Sequence, residues 1–146
     1  MRPSTLMILA LLCALSGCVP KVTMTVETRD STGNVIDRGD VTPFDSNSRQ
    51  FRVNTNGTIN LTISGQDSGG LQDLNFTGGF KCSQNGVDQQ GSLAGRDANL
   101  PGQHPTSESF SSQIAVQCPG GTYTGSVHGC AKNAMGASSC TKDATF

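Results

Sequence analysis

The chain has 146 residues, only 14% of them charged, with ten Lys and Arg against eleven Asp and Glu for a net charge of −1. That length suits one domain with a real core, and the lack of a basic excess argues against nucleic acid as a partner, since neutralising phosphates takes a positive patch. Eighteen glycines, no tryptophan and one tyrosine, among many Ser, Thr, Asn and Asp, favour turns between short strands over helices.

The chain opens on one positive charge, Arg2, followed by the uncharged run Leu6 to Leu15. A helix of about ten residues spans roughly 15 Å, half of the ~30 Å hydrocarbon layer, so the run is a signal segment and a poor membrane span. It ends on Leu15-Ser16-Gly17-Cys18, which resembles the lipobox of bacterial lipoproteins: Leu three before the cysteine, and two small residues directly before it. The resemblance implies a signal peptide over 1–17, cleavage before Cys18, diacylglyceryl on the Cys18 sulfur and acylation of the new amine. Val19 rather than Asp follows the cysteine, which by resemblance to Gram-negative lipoproteins implies the outer membrane. The alternative is an ordinary secretory signal cut before Gly17, leaving Cys18 a plain thiol or a disulfide partner.

Cysteine count is a second consideration. Cys13 leaves with the signal, and Cys18, Cys82, Cys118, Cys130 and Cys140 remain. Exported chains pair their thiols, so one of five is expected to have another use, and Cys18 is the candidate. Residues 18–20 form the tether; three extended residues reach at most ~10 Å, which places the domain, residues 21–146, against the bilayer.

From Lys21, Val22, Met24 and Val26 alternate with polar residues, and Asp30 to Asn34 supplies turn chemistry before Val35-Ile36, so a strand and hairpin are expected. Phe51 and Val53 begin another alternation, Asn56-Gly57 offers a turn, and Ile59, Leu61 and Ile63 mark the cleanest strand. Gln66 to Gly70 breaks it, and Leu71 to Phe80 resumes with Leu74 and Phe76 inward. Ser83 to Ser109 reads as a long polar loop with room for a short edge strand. Phe110 to Cys118, Tyr123 to Cys130 and Ser138 to Phe146 close the chain as three more strands.

Short strands about ten residues apart with Gly-rich turns predict an all-β antiparallel sandwich of about seven strands. Thr62 to Phe76 and Tyr123 to Phe146, the latter with its Ala131-x-Asn133-x-x-Gly136 turn, resemble parts of bacterial immunoglobulin-like and cadherin-like modules. In that layout Cys130 and Cys140 staple the last hairpin and Cys82 pairs with Cys118, giving two disulfides. Two other pairings are formally open.

Candidate chemistry is sparse. Asp67, Gly69, Gly70 and Asp73 offer oxygens for a hard cation, but the spacing is no EF-hand loop, and a turn capped by its own Asp serves as well. His128 and Cys130 share a strand face and His104 lies elsewhere; oxidised cysteines cannot ligate zinc, so no metal and no cofactor are expected. No Gly-x-Ser-x-Gly elbow exists, and no enzymatic activity is expected. Arg38-Gly39-Asp40 matches a short integrin-ligand tripeptide, with a plain Gly-Asp turn as the simpler account. Asn56, Asn60 and Asn75 fit Asn-x-Ser/Thr, which matters only outside bacteria. The expectation is a lipid-anchored envelope protein that binds or scaffolds a protein or glycan partner. Its loop residues Asp67, Gly69, Gly70, Asp73, Asn133 and Gly136 are the candidate contacts. The alternative is a small inhibitor or immunity-type factor that blocks an envelope enzyme. Immunoglobulin strand order would set those loops at the tethered pole, leaving the opposite pole or a sheet face freer.

Overall fold

The structure, a computed structural model, describes residues 18–100 and 102–146. The signal peptide expected over 1–17 lies outside the described residues.

Alternation builds the first strand, β1 (Lys21–Arg29), in which Val22, Met24, Val26 and Thr28 are buried. Thr28 can sit there because its hydroxyl donates to the Arg52 carbonyl at 2.7 Å. The Asp30 carboxylate then accepts the Thr32 and Asn34 amides at 2.9 Å each, turning the chain into β2 (Val35–Val41). There follow β3 (Arg49–Gln50), β4 (Thr58–Gln66), β5 (Leu71–Gln84), β6 (Val87–Arg96), β7 (Ser107–Ala115), β8 (Thr122–Asn133), β9 (Ser138–Cys140) and β10 (Ala144–Thr145).

One sheet has the order β2-β1-β4-β7; the other runs β3-β10-β8-β5-β6, with β9 also paired to β8. The pairings are antiparallel except β3 with β10. This is an immunoglobulin-like sandwich: β1-β4-β7 stand as A-B-E against β6-β5-β8 and β9/β10 as C′-C-F-G. The ten strands exceed the seven expected because β2 and β3 are additions at the edges and the last strand is broken at Thr141–Asp143. Ile59, Leu61 and Ile63 of one sheet and Leu74, Phe76 and Val127 of the other belong to the buried core between them.

One expectation needs correction. The long loop from Ser83 to Ser109 is largely strand: β5 turns into β6 through Asn85 and Gly86, both at positive φ (51° and 77°), the two-residue turn that Asn-Gly favours. β6 escapes a hydrophobic count because its inward positions include Gly91 and Gly95. A Cβ on Gly95 would lie 2.3 Å from the Phe76 ring, so the aromatic occupies that place. The turn expected at Asn56-Gly57 is present, with the Gly57 amide donating to the Asn54 carbonyl at 3.1 Å; it leads into β4 from a segment that crosses over from β3, which pairs with β10 in the opposite sheet.

The two poles are set by register. Lys21 pairs with Gln66 and Leu71 with Asn133 at the proximal pole, which carries Cys18; Arg29 pairs with Thr58 and Ser83 with Thr122 at the distal one. Cys82 and Cys118 are bonded near the distal pole with Cα atoms 5.7 Å apart, and Cys130 and Cys140 across the β8–β9 pair at 4.1 Å. The free edge of β2 is blocked: guanidinium groups of Arg52 and Arg49 donate to the Ile36 and Arg38 carbonyls at 2.9 and 3.2 Å.

Candidate functional site

Three clusters gather the chemistry-bearing side chains. The first is the proximal pole. Asn133 ends β8 and is 1% exposed. Its side-chain amide donates to the Cys18 carbonyl at 3.0 Å and to Asp67 Oδ2 at 3.2 Å, while its Oδ1 accepts the Ala137 amide at 2.9 Å. Asp67 Oδ1 accepts the Gly69 amide at 2.8 Å, and the Ala134 amide donates to the Gly70 carbonyl at 2.9 Å. Gly70, at φ +93°, is buried beneath His104, whose carbonyl would lie 2.7 Å from an added Cβ. Gly136, at φ +91°, closes the β8–β9 turn by donating its amide to the Asn133 carbonyl at 3.0 Å. Asp67, Gly69, Gly70, Asn133 and Gly136 are thus brought to one pole, with polar groups that bond one another. A cleft of about 610 Å³ opens beside them, lined by Cys18, Val19, Lys21, Gln66, Asp67, Ser68 and Thr106.

Asp73, opposite Lys132 in the same strand pair, is near them but takes other partners. It is 9% exposed at a bulge in β5, where its carboxylate accepts Arg96 Nε at 2.5 Å and the Asn75 amide at 2.7 Å. Among the described residues no cluster of three His, Cys, Asp or Glu has a geometry that could hold a metal ion.

The third cluster lies on the outer face of the second sheet. Thr77 of β5 and His128 of β8 are register partners, with Thr77 Oγ1 3.2 Å from His128 Nε2; Asp143 Oδ1 is 3.2 Å from His128 Nδ1. This is a hydroxyl–imidazole–carboxylate chain. Thr77 sits in a strand paired on both sides, to Ala94 and His128, so its local backbone is committed to ladders rather than to an oxyanion. The face is open, with the His128 and Asp143 side chains 38% and 50% exposed. His104 is at the other cluster, on the proximal loop at φ 48°.

Arg38-Gly39-Asp40 lies within regular β2 rather than in a turn. Arg38 reaches Glu27 at 3.6 Å and Asp40 accepts the Thr25 hydroxyl at 2.7 Å, so both charged ends are engaged in the sheet. The Arg29 side chain bonded to Glu27 holds that carboxyl below the usual range. Asp88 is lowered chiefly by Lys81 and Asp30 to about 2 chiefly by the Thr32 hydroxyl.

In the full 146-residue chain the Cys18 sulfur is engaged in a disulfide, so an odd cysteine count does not set it apart. Sequence reasoning placed Asn133 in a turn but missed its bond to Cys18, and it missed Thr77, Arg96 and Asp143, whose partners are far off in sequence. Period-two register was the signal available, since Thr77 and His128 both fall on outward positions. No family model, curated protein or solved structure matches the chain.

Proposed function

We propose that the chain is a lipid-anchored protein of the bacterial cell envelope, held at the outer membrane through Cys18, whose sandwich binds or scaffolds a protein or glycan partner. The observation that carries this reading is Leu15-Ser16-Gly17-Cys18, which closes a ten-residue apolar run and is separated from the first strand by two residues. Two disulfides in so small a domain accord with an oxidising compartment. The bond from Asn133 to the Cys18 carbonyl supports it too, because the fold then begins at the cleavage point rather than after a slack linker.

With so short a tether the proximal pole faces lipid, and the distal turns and outer sheet faces are left for a partner. Photo-crosslinkers placed at Thr32, in the distal β1–β2 turn, and at Ser111, on the outer face of β7, test this in the living cell. A single recurring adduct is expected at one of them; none at either site argues against binding. A second reading, an inhibitor of an envelope enzyme, draws on Phe44. That ring is 89% exposed on the β2–β3 loop, which Asp45 stiffens by accepting the Thr42 amide at 2.6 Å. Loss of the adduct in Phe44→Ser, with the fold intact, favours that reading.

A further inference from the structure

We propose that the β8–β9 turn is a second, non-covalent membrane contact, with Met135 inserted into the lipid interface beside the acylated cysteine; this rests on the anchor reading above. The partner surface is a bilayer, and four observations point to it.

Placement comes first. β8 runs toward the proximal pole and ends at Asn133, whose amide holds the Cys18 carbonyl, so Met135, two residues further, occupies the tip of the same pole. Exposure is second: Met135 is 73% exposed and Val19, next to Cys18, is 56% exposed, so two apolar side chains that burial in the core does not use flank the anchor. An isolated exposed methionine needs no explanation, but this one shares its pole with Cys18 and Val19.

Charge is third. The tip, Ala134-Met135-Gly136-Ala137-Ser138, carries none. Of the acids near the pole, Asp67 is bonded to Gly69 and Asn133, Asp73 is 9% exposed and bonded to Arg96, and Asp97 is 6% exposed and accepts the Asn99 amide, while Glu108 of β7, opposite Gly65, is exposed. Lys21 and Lys132 remain exposed there, the sign that anionic headgroups attract. Rigidity is fourth. The Cys130–Cys140 bridge lies just behind the turn, Asn133 Oδ1 accepts the Ala137 amide, and the Asn133 amide donates to the Ala137 carbonyl at 2.9 Å. A turn already fixed loses little entropy on docking. One lipid anchor and one inserted turn give the domain two fixed points, and hence a set tilt.

The chain lacks tryptophan, so a single introduced indole reports its own depth. The lipidated protein carrying Met135→Trp is reconstituted in phosphatidylethanolamine–phosphatidylglycerol vesicles whose acyl chains are brominated, and compared with Val87→Trp in the distal β5–β6 hairpin. Both positions are exposed, at 73% and 62%, so neither substitution enters the core. The Met135→Trp indole is expected to shift to the blue and lose most of its emission to bromine, while the Val87→Trp indole does neither. If the protein floats with the vesicles and the Met135→Trp emission is unquenched, the anchor stands and the inserted turn is wrong. If the protein does not float, the anchor reading fails and takes this proposal with it.

Discussion

The side-chain amide of Asn133 donates to the main-chain carbonyl of Cys18 at 3.0 Å, across 115 residues of sequence. One buried side chain thus ties the last long strand to the residue at which the chain would be cut and lipidated. It also holds Asp67 and the β8–β9 turn, so the pole behaves as one unit rather than as separate loops.

Asn133→Ala removes a donor to Cys18 and Asp67 and an acceptor for the Ala137 amide. With three partners left unsatisfied in a buried setting, a loss of about 1–3 kcal/mol is expected. Urea denaturation measures it. A change within error would show that water replaces Asn133 at no cost and that the pole is not held by this residue.

The disulfides close loops with sequence separations of 36 and 10 residues. Chain-entropy arguments assign about 4 kcal/mol to Cys82–Cys118 and about 3 to Cys130–Cys140. The double replacement Cys82→Ser with Cys118→Ser should therefore lower the melting temperature more than Cys130→Ser with Cys140→Ser. Calorimetry decides the order, and the reverse order would place native-state packing above loop length.

Tyr123 is buried, its hydroxyl has no hydrogen-bond partner among the described residues, and burial pushes its ionisation above 10.0. Phe80 stacks on the ring at 5.6 Å. Tyr123→Phe keeps the stack and removes the unsatisfied group, so stability should hold or rise by about 1 kcal/mol. A clear loss in chemical denaturation would mean the hydroxyl does have a partner in solution.

Asp30 accepts from Thr32 and Asn34 in the β1–β2 turn, which brings its carboxyl from 3.8 to about 2. A lowered folded value means the contribution is complete above the ordinary carboxylate range and is lost as pH falls through about 2. In an NMR titration the Thr32 and Asn34 amide shifts should move with a midpoint near that value. A midpoint at the ordinary value of an exposed carboxylate would deny the turn its capping role.

Much of the sandwich was legible. Val22, Met24 and Val26, and again Ile59, Leu61 and Ile63, alternate cleanly because one face of each strand meets the core. The β5–β6 hairpin was not legible: its Asn85-Gly86 turn was absorbed in a long loop, because Gly91 and Gly95 of β6 yield their inward places to the rings of Phe80 and Phe76. The candidate site was legible only in part. Asp67, Asn133 and Gly136 are turn residues by type, but that Asn133 reaches Cys18 depends on strand order. The Thr77–His128–Asp143 chain depends on the register of β5 against β8 and on the break before β10 that places Asp143, which no local pattern encodes.

The lipid anchor is tested most directly by the mass of the amino-terminal peptide of the protein purified from membranes. The expected result is a mature chain beginning at Cys18, with diacylglyceryl in thioether linkage to its sulfur. A chain beginning elsewhere, or a Cys18 sulfur bearing no lipid, would contradict it.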